Sequence, residues 1–285
     1  MKLVMTLLVR DELDIIESNI DFHLAQGVDF IVAMDNLSVD GTTDLLRAYE
    51  QRGVLYYLNQ PDDIYAQGEW VTTMARIAAA KFNADWIINN DADEFWWPEN
   101  RDLKSTLEAV DASCQAIIAE RTNFIPQPDA EDVFFADRMT IREKTSLNAL
   151  AAPLPGKVCH RALSNIEVAQ GNHAVLQNGD FVSAISAPIT ILHFPMRSYR
   201  QFANKVVKGG AAYARNKSLA RSVGETWRWL YELWQRDELE TYYRTFIRDQ
   251  EALIAGLKDG SLIFDDRLKK FYDGRPSNLR GPDSA

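Results

Sequence analysis

Acidic side chains are concentrated in the stretch INNDADEFWW, residues 88–97. Asp91, Asp93 and Glu94 follow an apolar run and precede three aromatic residues. Two aspartates separated by one residue at a strand end can bring both carboxylates to one divalent cation, because the chain turns there. Hard oxygen ligands of this kind suit Mg²⁺ or Mn²⁺, which keep waters and bridge to substrate phosphates. We therefore expect a metal to offset this charge; a solvated acidic turn is the alternative.

A second polar cluster, DNLSVDGT at residues 35–42, directly follows another apolar run. A carboxylate in the position of Asp35 can accept hydrogen bonds from a nucleobase or a ribose. The Ser, Asp, Gly and Thr residues after it can instead form a turn that caps the next helix. Both roles stay open for the cluster, and the nucleotide role is favoured for Asp35.

Further candidates for the site are two histidines and two tryptophans. His173 lies in a polar turn, where it could contact the donor or acceptor sugar. His193 ends an apolar run and could ligate Mn²⁺ through its imidazole, with a satisfied core histidine as the alternative. Trp96 and Trp97 could wall the site or bind a sugar face, and core packing is the alternative for both.

Basic residues are concentrated in the segment 197–221, which contains seven Lys and Arg residues and no Asp or Glu. This segregation, in a sequence of formal net charge −10, predicts a surface that faces phosphate. Lys205 and Lys208 are the expected contacts, because they lie close to a glycine pair that would allow close approach. A solvated helix face is one alternative, and docking of residues 197–234 onto anionic lipid head groups is another.

The elements that must position these residues follow from the apolar pattern. A continuous apolar run at 3–9 and strand-like segments at 30–34, 54–58 and 85–89 predict four strands, and apolar residues at helical spacing predict a helix after each of the first three. This alternation predicts a parallel sheet with right-handed crossovers. Ligands of such sheets bind beyond the carboxyl ends of the strands, where the polar clusters are expected to converge.

The pattern changes after residue 100. It predicts a helix over 102–110, a strand over 115–120, hairpins and long loops over 122–186, a strand over 190–194 and helices from about residue 198. The last twelve residues have the composition of a disordered tail.

Composition excludes several classes of protein. With 285 residues, 46% of them hydrophobic, the chain can form one large α/β domain with a helical appendage. The net charge of −10 argues against nucleic-acid binding. The two cysteines have no metal-ligand spacing. The first residues resemble a strand rather than a signal peptide, and no apolar run reaches the ~20 residues of a membrane span, so we expect a cytoplasmic protein.

Together, the motifs V-R-D-E at 9–12, D-N-x-S-x-D-G-T at 35–42 and D-A-D-E-F at 91–95 resemble the nucleotide-sugar-binding half of a family two glycosyltransferase. The resemblance covers residues 3–97 and implies the GT-A fold, an α/β class with a mainly parallel Rossmann-like sheet. With the later segment HFPMRSYRQFANK, the sequence is most similar to the bacterial subgroup related to family 92.

The resemblance also implies roles for individual residues. The donor would be a UDP-sugar or similar nucleotide sugar. Asp91 would lie near the ribose and the metal, Asp93 would be the principal ligand of Mn²⁺ or Mg²⁺, and His193 would complete the metal site. Further nucleotide contacts are expected at Val9, Arg10, Glu12, Asp35 and Arg76. A surface ion pair is the alternative for Arg76.

The expected function is metal-dependent transfer of a sugar to a hydroxyl acceptor, with inversion, in the synthesis of a surface glycan or its lipid-linked precursor. Asp132 is the preferred catalytic base, and a solvated loop carboxylate is its alternative. The expected domains are a catalytic domain over 1–196, with a nucleotide-binding half to residue 100 and an acceptor half after it, a helical extension over 197–273, and a flexible tail over 274–285. The protein would be cytoplasmic, with peripheral contact at the inner membrane face through residues 197–234.

Two other functions remain as alternatives. A nucleotide-sugar or glycan-binding module of the same fold would lack turnover. A haloacid-dehalogenase-type phosphatase also uses two aspartates after a strand, but its motif belongs on the first strand, whereas Asp91 and Asp93 follow the fourth.

Overall fold

The computed structural model describes residues 1–130, 133–148, 151–163, 165–217, 219–220 and 223–273. Its strands are β1 (Leu3–Val9), β2 (Phe30–Asp35), β3 (Leu55–Asn59), β4 (Trp86–Asp91), β5 (Glu94–Pro98), β6 (Ala116–Asn123), β7 (Ile141–Glu143), β8 (Lys157–Arg161), β9 (Ile166–Val168), β10 (Val175–Gln177), β11 (Asp180–Phe181), β12 (Ala184–His193) and β13 (Leu262–Phe264). Its α-helices are α1 (Ile16–Ala25), α2 (Thr42–Gln51), α3 (Gln67–Phe82), α4 (Leu103–Glu108), α5 (Phe135–Arg138), α6 (Tyr199–Arg215), α7 (Glu225–Gln235), α8 (Leu239–Arg244), α9 (Gln250–Asp259) and α10 (Arg267–Asp273), and a 3-10 turn covers Gln170–Asn172.

The main sheet has the strand order β3-β2-β1-β4-β8-β6-β12-β5. Strand β1 pairs in parallel with β2 and with β4, and β2 pairs in parallel with β3. Strand β8 is antiparallel to both β4 and β6. The parallel α/β sheet predicted for the first third, on which the GT-A expectation depends, is therefore confirmed.

The register of the sheet brings the predicted polar clusters to one edge. Val9 pairs with Asp35 across β1 and β2, and Leu8 pairs with Asp91 across β1 and β4. The three strands therefore end within one residue of each other, as the predicted topology requires.

The core explains why the continuous apolar runs form this sheet. Strand β1 is buried along almost its whole length. Val4, Val32 and Ile87, from three neighbouring strands, pack in one cluster with Met74 and Ala78 of α3. A strand buried on both faces needs apolar side chains at every position, so its sequence does not alternate.

Several elements differ from the sequence predictions. The strand predicted over 190–194 begins earlier, at Ala184. The aromatic residues after Asp93 form an unpredicted strand, β5. The predicted hairpin region contains the antiparallel sheet β11-β10-β9, and β13 interrupts the C-terminal helices to pair with β7.

The chain divides into two compact units. The first comprises Met1–Asp62, Ala66–Arg121 and Pro155–Leu192, and the second comprises Asp63–Tyr65, Thr122–Leu154 and the residues from His193 onward. The domain limits predicted from the sequence stay a prediction, and residues 274–285, predicted as a tail, lie outside the described residues. Among the helices that the structure describes, none combines the length and apolarity needed to cross a membrane.

Helices α6 and α7 of the second unit pack at a glycine. A Cβ atom built on Gly210 would lie 2.4 Å from Cβ of Tyr231, whereas one built on Gly209 would make ordinary contact with Trp227 at 3.6 Å. Trp227 and Trp229 pack partly buried against the cluster of Phe202 and Leu230, which favours packing as the role of these two tryptophans.

This difference between adjacent glycines is testable. Gly210→Ala should lower the free energy of unfolding by about 1–3 kcal/mol, because the added methyl group overpacks the helix contact. Gly209→Ala is the matched control and should raise it by about 0.5–1 kcal/mol, because alanine is the better helix former. Urea denaturation of both variants measures the effects, and equal changes at the two positions would contradict the packing argument.

Candidate active site

The loops after β1 and β2 are joined by hydrogen bonds. The backbone N–H of Asp11 donates to Oγ of Ser38 at 2.9 Å, and the N–H of Glu12 donates to Oγ1 of Thr42 at 3.0 Å. Asp11 and Leu37 adopt φ values of +54° and +61°, a conformation that is unfavourable for a branched side chain such as leucine. Strained backbone of this kind persists only where surrounding contacts hold it.

The carboxylate of Asp35 is engaged within this loop region. It accepts hydrogen bonds from the N–H of Ser38 at 3.1 Å, the hydroxyl of Thr43 at 2.5 Å and the hydroxyl of Tyr57 at 3.3 Å. Burial, and then the charge of Asp35, raise the pKa of Tyr57. Asp35 is itself buried. This geometry favours the turn-and-cap role, and a nucleotide contact of Asp35 stays a prediction.

The other predicted nucleotide contacts lie on the same unit. Val9 and Glu12 are buried, and Arg10 donates from Nη1 to Oδ1 of Asn36 at 3.4 Å. Arg76 is exposed on α3, where its Nε donates to the backbone carbonyl of Ile166 at 3.0 Å. That hydrogen bond ties α3 to β9.

A buried asparagine clamps the turn that carries Asp93. Nδ2 of Asn19 donates to the carbonyl of Ala92 at 2.9 Å and to the carbonyl of Glu94 at 2.7 Å. Its Oδ1 accepts from Nδ2 of Asn90 at 2.9 Å. The backbone on both sides of Asp93 is therefore fixed from α1. The sequence signal for Asn19 is a polar residue on the helix face that also carries apolar side chains.

The two tryptophans after the acidic turn have different surroundings. Trp96 is fully buried, and its Nε1 donates to Oδ1 of Asn90 at 3.0 Å, which favours core packing. Its backbone N–H donates to Nε2 of His23 at 3.3 Å, and burial lowers the pKa of this histidine to about 4. Trp97 is half-buried and stacks on Phe22 with ring centroids 5.6 Å apart.

A chain of ion pairs runs through the acidic turn. Nη1 of Arg121 lies 3.0 Å from Oε1 of Glu94, and Nζ of Lys157 lies 3.2 Å from the same oxygen. Lys157 also forms an ion pair with Oδ2 of Asp91. The side chains of Glu94 and Lys157 are 0% and 2% exposed, whereas that of Asp91 is 27% exposed. Protein cations therefore balance the carboxylates of Asp91 and Glu94.

Two amides also donate hydrogen bonds to Asp91. Nε2 of Gln67 and Nδ2 of Asn172 each donate to its Oδ1 at 3.3 Å. Gln67 also accepts from the N–H of Gly171 at 3.0 Å, and Gln170 accepts from the N–H of Gly68 at 2.9 Å. The segment 170–172 is thus docked onto the start of α3 beside Asp91. Sequence reasoning missed Lys157, Arg121, Gln67 and Asn172.

His173 follows this segment and is neutral at pH 7. Its Nδ1 lies 2.8 Å from the carbonyl of Gly156. Burial, and then the charge of Lys157, lower the pKa of His173 to about 4. With Nδ1–H donating to that carbonyl, Nε2 becomes a hydrogen-bond acceptor, which suits contact with a hydroxyl group.

The remaining predicted residues belong to the second unit. Nδ1 of His193 lies 2.7 Å from Oδ1 of Asn123. Lys205 and Lys208 lie one turn apart on α6. In the same basic segment, Arg197 is buried and donates to the carbonyl of Phe194, and Arg215 pairs with Asp63 at 2.6 Å. Asp132, the predicted base, lies outside the described residues.

The chemistry of the acidic turn fits a divalent cation bound with a phosphate ligand. Among the residues that the structure describes, no group of three or more His, Cys, Asp or Glu side chains is arranged to hold a metal ion. Mg²⁺ usually takes one or two carboxylates from the protein and fills its other positions with phosphate oxygens and water. Asp91 and Asp93 can supply such a set.

Residues 6–208 match the family model for glycosyltransferase family 92. No curated protein matches the sequence. Among solved structures, residues 1–349 of TarS from S. aureus share 12% identity, with 91% of this chain and 92% of that chain covered and a TM-score of 0.43. Glucosyl-3-phosphoglycerate synthase from Mycobacterium tuberculosis, in complex with Mn²⁺, UDP and phosphoglyceric acid, shares 15% identity over 56% of each chain, with a TM-score of 0.32. HddC from Yersinia pseudotuberculosis, complexed with GMP-PN, shares 10% identity over 72% of this chain and 99% of that chain, with a TM-score of 0.38.

The clamp by Asn19 predicts a large loss of stability on its removal. Asn19→Ala should lower the free energy of unfolding by about 3 kcal/mol or more, because two buried carbonyls and the amide of Asn90 lose their partner. Asn165→Ala is the matched control, since that exposed asparagine also bonds another asparagine, Asn178, at 3.0 Å. Urea denaturation measures the free energy of unfolding of both variants. A loss of stability in Asn19→Ala no larger than that in Asn165→Ala would contradict the clamp.

The lowered pKa of His173 predicts a pH dependence of stability. The unfolded chain binds a proton at this residue below its ordinary pKa of 6.5, whereas the folded protein does so only near pH 4. The contribution of His173 to the free energy of unfolding is therefore fully present above pH 6.5 and is lost as the pH falls towards 4. Between these values His173→Gln should reduce the slope of unfolding free energy against pH by about 1.4 kcal/mol per pH unit. Urea titrations at several pH values measure the slope, and an unchanged slope would show that His173 titrates normally.

Proposed function

The chain belongs to glycosyltransferase family 92, and on that premise we propose that it transfers a sugar from a nucleotide-diphosphate donor, of the UDP-sugar class, to a hydroxyl group. The acceptor is a glycan or a lipid-linked precursor in polysaccharide synthesis, and transfer inverts the anomeric carbon. The observation that carries the proposal is the acidic turn 91–94, held at the carboxyl edge of the parallel sheet beside the ends of β1 and β2.

The position of the turn supports donor binding. Ligands of open parallel sheets bind beyond the carboxyl ends of the strands. The loops after β1 and β2 meet the same edge and are tied to each other. The nucleoside would be bordered there by Val9, Arg10, Glu12 and Asp35. Arg76 on α3 is a further nucleotide contact in this proposal.

A divalent cation, Mn²⁺ or Mg²⁺, would when bound offset the negative charge that develops on the departing diphosphate. Asp93 would be its principal protein ligand, with Asp91 beside it and His193 as a further ligand. The Asn19 clamp holds the backbone of Asp93 in place before the donor arrives. Such prior fixing of ligands lowers the reorganisation that binding requires.

Other residues would act on the sugar and the acceptor. The neutral His173 can accept a hydrogen bond from a sugar hydroxyl through Nε2. Trp97, with part of its ring exposed, is the better placed of the two tryptophans to meet a sugar face. Asp132 is proposed as the base that removes the acceptor proton. Lys205 and Lys208 are proposed to contact phosphate, and residues 197–234 to touch the membrane surface.

Membership of the family excludes one of the two alternative functions. The phosphatase hypothesis is wrong, because the chain belongs to a glycosyltransferase family. A module that binds nucleotide sugars without turnover would share every contact described for the donor. Only turnover separates that module from an enzyme.

Nucleotide binding tests the role of the acidic turn. Titration calorimetry should detect UDP binding that is tighter by about tenfold or more with Mn²⁺ than without it, because the cation links the carboxylates to the diphosphate. Asp93→Asn should abolish this gain. Asp85→Asn is the matched control, since Asp85 is exposed and precedes β4 at its opposite end. Undetectable or metal-independent UDP binding by the unmodified protein would overturn the metal-dependent proposal.

Turnover is tested with UDP-, GDP- and dTDP-sugars. The protein should slowly hydrolyse one class of donor in the absence of acceptor, because water can replace the acceptor hydroxyl. Release of nucleoside diphosphate should fall by about 100-fold or more in Asp93→Asn, since the charge stabilisation of the leaving group is lost. Binding without any hydrolysis or transfer across the panel would favour the binding module.

A further inference from the structure

The ion-pair chain at the acidic turn is nearly all buried, yet one end reaches solvent. Arg121, Glu94 and Lys157 have side chains that are 9%, 0% and 2% exposed, and Asp91 is 27% exposed. Oε2 of Glu94 makes no hydrogen bond within the described residues. Buried ion pairs are often no more stabilising than apolar side chains of the same volume. Stability alone is therefore a weak reason for this arrangement.

The charges in the chain alternate and cancel. Two cations, Arg121 and Lys157, form ion pairs with two carboxylates, Glu94 and Asp91. Lys157 is shared, since its ammonium contacts both carboxylates. A free metal ion that approaches Asp91 therefore meets an ammonium group already bound there.

We propose that Lys157 is a positioning residue that makes cation binding depend on the nucleotide diphosphate. Its ammonium group forms an ion pair with the carboxylate of Asp91 and repels a free divalent cation. A diphosphate brings negative charge of its own and is attracted by the same ammonium. The cation is then bound together with the nucleotide rather than before it. This inference rests on the proposed function, because it concerns the same donor site.

Local structure fixes Lys157 at this position. It is the first residue of β8, which pairs antiparallel with β4 and with β6. The residue before it, Gly156, approaches β6 so closely that a Cβ atom would lie 2.7 Å from the carbonyl of Ala119. The carbonyl of Gly156 is also bound by His173. The start of β8 is thus held from two sides, which fixes the backbone that carries Lys157.

The arrangement predicts opposite effects on two ligands. Removing the ammonium leaves Asp91 and Glu94 with a net negative charge, which should strengthen binding of a free divalent cation. The same change removes an attractive charge for a diphosphate in the absence of metal. Unit charges a few ångströms apart near a protein surface interact strongly enough to alter affinity by tenfold or more. A loss of local order would weaken the binding of both ligands. Affinity changes of opposite sign for the metal and the diphosphate therefore distinguish the charge role of Lys157 from a structural role.

The experiment uses the full chain and two titrations. Mn²⁺ alone is followed by electron paramagnetic resonance, and UDP alone, with chelator present, is followed by calorimetry. Lys157→Gln should bind Mn²⁺ about tenfold or more tightly than the unmodified protein and UDP about tenfold or more weakly. Lys104→Gln is the matched control, because Lys104 also pairs with an aspartate, Asp29, at 2.7 Å, near the start of β2. It should leave both affinities unchanged.

A double variant covers the case in which Lys157→Gln fails to fold. Lys157→Gln with Glu94→Gln removes one charge of each sign, so the buried cluster stays balanced through Arg121 and Asp91. Circular dichroism checks its fold, and its affinity for Mn²⁺ alone should still exceed that of the unmodified protein. If the folded variants bind Mn²⁺ no more tightly, or lose affinity for both ligands, the role of Lys157 is refuted. If the unmodified protein binds no UDP with or without Mn²⁺, the donor-site proposal itself fails.

Discussion

Three carboxylates within four residues repel one another, and the strand end that carries them needs opposite charges and donors from elsewhere in the chain. Lys157 and Arg121 supply the charges for Asp91 and Glu94. Asn19 supplies the donors that hold the backbone on either side of Asp93. Residues of β8 and α1 therefore hold this turn through side-chain contacts.

The direction of β8 places Lys157 beside this turn. Strand β8 runs antiparallel to β4, so its first residue lies beside the last residues of β4. A parallel neighbour would have placed its last residue there. The change from parallel to antiparallel pairing therefore brings the amino end of a strand, with Lys157, to the edge where carboxyl ends otherwise collect. Strand β4 is paired along both edges, in parallel with β1 and antiparallel with β8.

What could be predicted from the sequence was local. The runs at 3–9 and 30–34 are so uniformly apolar that they indicate strands buried on both faces. The polar residues that follow these strands must then lie at the same edge of the sheet. The contacts of the polar residues at the strand ends were not predictable. Lys157 and Asp91 are 66 residues apart in the sequence, and Asn19 and Ala92 are 73 residues apart. No periodicity encodes such pairings. At Asp35 and at the glycine pair 209–210 the structure has a turn network and a helix contact, and the ligand contacts that local composition suggested there stay predictions.

A donor site of this kind has two electrostatic requirements that conflict. A metal needs negative charge, whereas a diphosphate needs positive charge, and both must lie within a few ångströms of each other. A purely acidic turn would hold the metal and repel the nucleotide, and a purely basic one would do the reverse. An alternating chain of charges avoids both outcomes, because neither ligand alone finds a strongly favourable field, while the two together do. In the proposed donor site, the exposed end of the chain at Asp91 is where that balance would respond to a ligand. The buried end, at Glu94 and Arg121, keeps the balance fixed when no ligand is there.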